Sequence, residues 1–397
     1  MTPSLAAIRV RPQPIGVFPF PAGLLLLPET AEDSNSALES LMRGRLPQEL
    51  PAAWQFFALA AMGEVAGALE ELKGDDPIAR HNRIALGSPE ARGSDEGILE
   101  AAIRYALGRA DHAPTAGEFD GELLAFVLML QATEAIEQTK YQAAARLLER
   151  AIDAARGSSA EFAAQLLGQL AALETDETRT VPLCREAVSL AQGPAKAELS
   201  LQLGMALQAH AGSNKASMLE AVRAYQDALR FGITIEGNPE GFALLQNNLA
   251  LAYLGMPMTG VGDPLRMGIA VQSLREALKV YTKEAYPEEW ASAQLNLANA
   301  LQYIPTSHPE ENLIQAVEIY DEILAVRQRA FDPVGYARLL ANQANALAHL
   351  GIFGPAMEKI SEAYKLFQWH EEIDMAASAM RLVEEISEQR KAVHGSA

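Results

Sequence analysis

The chain of 397 residues has a single cysteine, Cys184. A disulfide within the chain is therefore excluded, as is a metal site built from several thiolates. Basic residues are scarce beside acidic ones: 32 Lys and Arg stand against 51 Asp and Glu, a net charge of −19. There is no basic block or stripe of the sort that phosphate recognition needs, which argues against nucleic acid as a partner. An acidic surface keeps a chain dissolved and suits a basic partner. No run approaches the roughly 18 apolar residues of a membrane span. Val17 to Leu27, behind Arg9 and Arg11, loosely imitates a signal peptide. Pro19 and Pro21 interrupt it, and Pro28-Glu29 follows where a small-residue cleavage site belongs. The expected location is the cytoplasm, with no membrane contact.

Catalytic constellations are missing too. The seven histidines do not pair at helical ligand spacing, and His370-Glu371-Glu372 lacks the second histidine of a zinc protease. There is no phosphate loop, and Gly260-Val-Gly262 is too short for a dinucleotide fingerprint. The carboxylate pairs Glu288-Glu289 and Glu310-Glu311 open helices, where they complement the helix dipole. Cys184 falls at a large core position and reads as inert packing. No catalytic residue, metal or cofactor is expected, and the chain reads as a non-enzyme.

What is present is repetition. Pro239-Glu-Gly-Phe242, Pro287-Glu-Glu-Trp290 and Pro333-Val-Gly-Tyr336 each place an aromatic three residues after a proline. Each leads into an Ala- and Asn-rich stretch beginning at Asn248, Asn296 or Asn342, at offsets of 48 and 46 residues. A fixed period of this size means a stacked array whose units bury their apolar faces against their neighbours. A second signature recurs six times: a small residue, a large one four on, and a small or apolar one seven on. It reads Ala144-Leu148-Ala151, Thr180-Cys184-Ala187, Ala221-Tyr225-Ala228, Ala270-Leu274-Ala277, Ala316-Tyr320-Ile323 and Ala356-Ile360-Ala363. Small residues let two helices approach, and the large one fills the space between them. First helices align at Ala132, Gly168, Gly204, Ala250, Ala298 and Ala344. Three units then carry longer inter-helix loops, at His210–Leu219, Gly255–Gly268 and Ile304–Asn312.

The boundaries follow. Residues 1–48 hold prolines at 12, 14, 19, 21, 28 and 47, which forbid long helices and favour an extended arm. The arm is apolar and is expected to lie on the protein's own helices, with partner binding as the alternative. Residues 49–117 form an N-terminal helical region: one pattern runs from Pro51 through Trp54 to Leu72, a second starts at Pro77, and a third covers Asp95–Ala110. Residues 118–372 carry about six helix pairs, and 373–397 form a polar capping helix and tail.

These residues resemble the tetratricopeptide repeats, in a long-period variant found in bacterial proteins. Leu203-Gly204 with Leu207, Leu249-Ala250 with Tyr253, and all six second-helix signatures carry the resemblance. It implies an all-α, right-handed solenoid of tetratricopeptide-like hairpins behind the extended arm. It also implies protein or peptide binding in a concave groove lined by first helices. Carried onto this register, the groove side chains are Asn247, Leu251, Ser292, Leu295, Asn299, Gln302, Tyr303, Arg338, Asn345 and His349. Arg338 and Asn299 match two positions of the family's carboxylate clamp, but its lysines are missing, so that ligand is not expected.

Asn299 and Asn345 recur 46 residues apart on one face, and amides can grip an extended backbone without reading its side chains. Asn248, Asn296 and Asn342 suit a structural ladder to the next helix. The loop carrying Met256, Met258 and Met267 is a contact site if exposed and a gap filler if buried. Asp263 is a candidate N-cap. The expected function is an interaction scaffold or adaptor for a protein or peptide. The alternatives are an assembly or maturation factor for a multisubunit bacterial enzyme, and a small-molecule sensor with a pocket in residues 50–115. Self-association, through the array ends or a swapped arm, stays open.

Overall fold

The computed structural model describes residues 12–88, 97–115, 117, 119–212, 214–257, 262–305, 308–327 and 329–394. Regular structure among the described residues is entirely helical, and the chain divides into two compact units. The first comprises Met1–His210 with Arg223–Ile233, the second Ala211–Val222 with Thr234–Ala397.

The first unit opens with the arm. Between its prolines the backbone admits a short 3-10 turn at Ala22–Leu24 and one helix, α1 (Asn35–Met42), so the arm is not extended throughout. The expected helix across Pro51–Leu72 is instead a 3-10 turn, Ala52–Trp54, followed by α2 (Gln55–Ala61) and α3 (Val65–Glu71). Gly63 separates α2 from α3 at φ +86°, a conformation that ends a helix and that glycine adopts without strain. Pro77 starts α4 (Pro77–Ala85), where the Asp76 carboxylate caps the N–H groups of Ile78 and Ala79. α5 (Ile98–Ala106) is shorter than the expected Asp95–Ala110, and residue 95 lies outside the described residues.

The arm does lie on these helices. Leu25, Leu26 and Leu27 are at most 1% exposed; Leu25 and Leu27 join the core of Trp54, Phe57, Ile84 and Ile103, and Leu26 joins a second one with Leu99 and Phe126. An extended segment buried this deeply must satisfy its backbone polar groups. Side-chain amides do so. Asn82 accepts from the Leu26 N–H and donates to the Leu26 carbonyl, both at 2.8 Å. Gln13 accepts from the Leu27 N–H and donates to the Leu27 carbonyl. Trp54 donates its indole N–H to Pro28 O at 2.8 Å.

Six helix pairs follow. In the first unit these are α6 (Gly121–Glu137) with α7 (Tyr141–Arg156) and α8 (Ala160–Leu173) with α9 (Glu177–Leu190), then α10 (Gly193–Ala211) and α11 (Lys215–Phe231), along which the division between units runs. The second unit continues with α12 (Pro239–Leu254) and α13 (Asp263–Ala277), α14 (Pro287–Tyr303) and α15 (Pro309–Val326), α16 (Pro333–His349) and α17 (Phe353–Trp369), closed by α18 (Ile373–His394).

The recurring prolines sit in the first turn of α12, α14 and α16, where a missing N–H costs nothing. Asn238 and Asp332 cap the N–H of Gly241 and Gly335, at 2.9 and 2.8 Å. A Cβ at either glycine would come within 3 Å of the capping side chain, which explains the Pro-x-Gly openings. Asp263 is not a cap: it is the first residue of α13 and pairs with Arg266 at 3.1 Å.

The second-helix signatures form the core seam. Ala144, Leu148, Ala151, Cys184, Ala187, Ala221, Tyr225, Ala228, Ala270, Leu274, Ala277, Ala316, Tyr320, Ile323, Ala356, Ile360 and Ala363 are all buried. Gly204 of α10 shows the fit, since a Cβ there would meet the Tyr225 ring at 2.4 Å. Burial pushes the Cys184 thiol up to about 11, so it is a packing group and not a nucleophile. The inter-helix segments are shorter than expected. Helices claim the ends of the anticipated loops, leaving residues 212–214, 255–262 and 304–308. Much of the long period is therefore helix length.

Candidate peptide-binding surface

In the second unit the first helices α12, α14, α16 and α18 touch one another in succession and form a continuous wall. The alanines that pack inward, among them Ala250, Ala298 and Ala344, turn the residues one position on toward this wall. The amides stand there, but they are less free than the sequence implies.

Tyr320 of α15 reaches between the first helices and donates its hydroxyl hydrogen to Asn299 Oδ1 at 2.6 Å. Gln302 donates to the Tyr320 oxygen at 2.6 Å, and Asn342 donates to Asn299 Oδ1 at 3.0 Å. Asn345 donates to Gln302 Oε1 at 3.0 Å and to the Tyr303 hydroxyl at 3.2 Å. Asn299, Gln302, Tyr303 and Asn345 thus belong to one intramolecular ladder. Asn342 does what a structural ladder residue should. Burial holds the Tyr320 phenol well above the usual range, so it remains a hydroxyl donor. Tyr320 was missed as a member of this surface. The available signal was a tyrosine at a large core position, because a buried phenol needs a partner for its hydroxyl.

On Asn299 and Asn345 the ladder leaves one group each outside these bonds, the Asn299 Nδ2 donor and the Asn345 Oδ1 acceptor. Beside Asn345 lies a cleft of about 360 Å³ between α16, α17 and α18. Ala341, Ile360, Phe367, Met375 and Leu382 give it an apolar floor, and Arg338, Asn342, Asp374 and Ser378 its polar rim. Arg338 is exposed, and its Nε lies 3.3 Å from the Met375 sulfur. The α18 residues of this cleft were not anticipated, since α18 reads from sequence as a polar cap.

The remaining candidates separate by depth. Ser292 and His349 are exposed, while Leu251 and Leu295 are half-buried. Asn247 is half-buried and its Oδ1 is sealed from solvent without a hydrogen-bond partner, so it is a packing position and not an open contact. Met256 and Met267 are buried and fill the space between helices, while Met258 lies outside the described residues. Arg266 holds that loop by donating to the carbonyls of Met256 and Pro257, at 3.2 and 3.3 Å. Of the two readings of this loop, burial of Met256 and Met267 supports the gap filler at those two positions. The described region of residues 50–115 is likewise filled by its own core of Trp54, Phe57, Ile84 and Ile103.

In the first unit the corresponding face is partly covered. Gln165 of α8 donates to the Gly16 carbonyl at 2.8 Å. The arm residues Gly16–Pro19 share one cleft, about 620 Å³, with Gln165, Gly168, Glu198, Leu199 and Gln202 of α8 and α10.

The chain is an array of helix pairs that pack on one another in succession. No known protein family matches the sequence, and no curated protein does. Solved structures similar to it include BtubC from P. vanneervenii, at 19% identity and a TM-score of 0.41, over 62% of this chain and 92% of that one. The Cut9-Hcn1 hetero-tetramer of the APC/C is similar at 14% identity and a TM-score of 0.43, over 90% of this chain and 63% of that one. A Rap protein complexed with competence and sporulation factor is similar at 12% identity and a TM-score of 0.38, over 85% and 97%.

Proposed function

We propose that the chain is a non-catalytic adaptor that binds an extended segment of a partner protein along the first-helix wall of its second unit. The observation that carries this reading is the ladder itself. It fixes Asn299 and Asn345 from behind and leaves one donor and one acceptor for a peptide backbone. Side chains locked by hydrogen bonds lose little entropy on binding, which favours recognition. The adjoining cleft takes an apolar side chain of the same segment on its floor, and Arg338 guides a polar neighbour at its rim.

The arm explains why the reading favours the second unit, since it already lies over part of the first-helix face of the first. The test is retention of partners from the native cell extract on immobilised protein, wild type against an Arg338→Ala/Asn345→Ala variant. The variant should keep its melting temperature within a few degrees and lose the retained partner. Equal retention by a folded variant overturns the assignment.

A further inference from the structure

Each unit has one cleft at the same position of the helix-pair register. The first lies between the consecutive first helices α8 and α10, the second between α16 and α18. Ala195, Glu198, Leu199 and Gln202 of α10 line the first, and Met375, Ser378, Ala379 and Leu382 of α18, each 180 residues on, line the second. Across from them, Gln165 and Gln169 of α8 match Ala341 and Asn345 of α16, each 176 residues on. The first cleft shows what settles beside such a place. The arm residues Gly16–Pro19 form its remaining wall, and Gln165 donates to the Gly16 carbonyl at 2.8 Å. The approach is close, since a Cβ at Gly16 would collide with the Gln165 carboxamide.

That arm segment is a closed turn. The Gly16 N–H donates to Gly23 O at 2.7 Å and the Gly23 N–H to Pro19 O at 3.1 Å, and no residue from Pro14 to Leu27 is charged. A turn closed by its own backbone bonds can be supplied by a short stretch of another chain. The second cleft is lined by α16, α17 and α18, and its differences from the first suit such an occupant. Ala341 stands for Gln165, Met375 for Ala195 and Leu382 for Gln202, so its floor is more apolar. Ala379 in place of Leu199 leaves room for a ring. Arg338 and Asp374 bring one charge of each sign to the rim, which favours an uncharged segment whose carbonyl and N–H groups they can meet. We infer that the second cleft receives an uncharged, proline-bounded apolar turn of a partner protein, of the kind that the arm lays beside the first. The inference rests on the adaptor reading above and names the chemistry of the segment bound. An aromatic side chain of the turn enters between Met375 and Leu382, and its backbone continues past Asn345.

The probe is a synthetic peptide of the arm sequence Pro14–Leu24, amidated at its C-terminus and carrying an N-terminal fluorophore. It is added to the full chain and followed by fluorescence anisotropy. The wild type should bind it saturably. Ser378→Trp, at an exposed rim position, should weaken binding at least tenfold with an unchanged melting temperature. Glu198→Trp, at the matching exposed position of the first cleft, should leave binding unchanged. Met375→Ala gives the second cleft the alanine of the first and should also weaken binding, which keeps the test decisive if Ser378→Trp fails to fold. A peptide with Val17, Phe18 and Phe20 replaced by Ser should not bind. A wild type indifferent to the arm peptide overturns the inference. So does binding that survives both second-cleft variants, binding that Glu198→Trp abolishes instead, or equal binding of the Ser-substituted peptide. Failure here is distinct from failure of the adaptor reading. Partners retained from extract by the wild type and lost with Arg338→Ala/Asn345→Ala would keep that reading and discard only the chemistry of the segment.

Discussion

Two buried ionisable side chains dominate the first unit at the residue scale, and they pull stability in opposite directions with pH. Glu122 is 4% exposed. It accepts from the Gln13 N–H at 2.7 Å, and its other oxygen has no partner. Burial raises its pKa from 4.5 to about 8, against smaller opposing effects of the Gln13 and Ser159 hydrogen bonds. A folded-state pKa above the unfolded one means that the folded protein binds the extra proton. The stability it contributes is fully present below the ordinary carboxylate range and is lost as pH rises through about 8. Glu122→Gln keeps an acceptor for Gln13 without the charge. Its melting temperature should match the wild type near pH 5 and exceed it by roughly 5 °C at pH 9. An equal shift at both pH values would refute this account.

His81 behaves in the opposite sense. Burial lowers its pKa below 6.5, although its ring nitrogens lie 2.8 Å from Leu24 O and 3.1 Å from Leu99 O. The folded state therefore disfavours the imidazolium, and stability present above pH 6.5 falls as acid protonates the unfolded chain. His81→Gln should flatten the acid limb of a plot of melting temperature against pH between about 6.5 and 5.

At the element scale the arm shows what a local pattern can and cannot reveal. Its prolines announce extended backbone and its leucines announce burial. The groups that make burial possible are remote: Asn82 lies 56 residues from Leu26 and Gln165 lies 149 from Gly16. No periodicity links them, so the arm's path was not legible, whereas helices with a fixed repeat and a small-large-small signature were. The ladder's bonds were not legible for the same reason. Asn299 and Asn345 could be placed on a face by counting, but the Tyr320 hydroxyl that occupies Asn299 comes from another helix.

Asn82→Ala strands a buried N–H and a buried carbonyl of Leu26, at a cost of about 2–4 kcal/mol. Phe20, on the same arm but 68% exposed, should tolerate Ser within about 0.5 kcal/mol. Denaturant unfolding followed by tryptophan fluorescence checks both, with near-ultraviolet circular dichroism as a second probe, because Trp54 is tied to Pro28 O at the end of the arm. Equal stabilities for the two variants would mean that the arm's amide pairing contributes nothing.

At the scale of the whole molecule the chain is a succession of helix pairs, each only as stable as the neighbour that covers it. Among the described helices, α18 covers α16 and α17. Ala376, Ala379 and Ile386 pack into the cluster of Ala337, Leu340, Ala344, Ile360, Ala363 and Phe367 contributed by α16 and α17. Its other face carries the exposed Glu384, Glu388 and Arg390. A chain ending at Gln368 would uncover that cluster and would also remove Met375, Ser378 and Leu382 from the Arg338 cleft.

The consequence is graded, because coupling runs between nearest neighbours. α16 and α17 lose protection first. The first unit's amides around Leu26 and Asn82 keep theirs in hydrogen exchange. Binding of a hydrophobic dye should rise as the apolar cluster opens. Loss of protection throughout the chain would mean a single cooperative block and would contradict the array picture. Fraying confined to α16 and α17 would show that the covering helix stabilises its own neighbourhood and the partner cleft together.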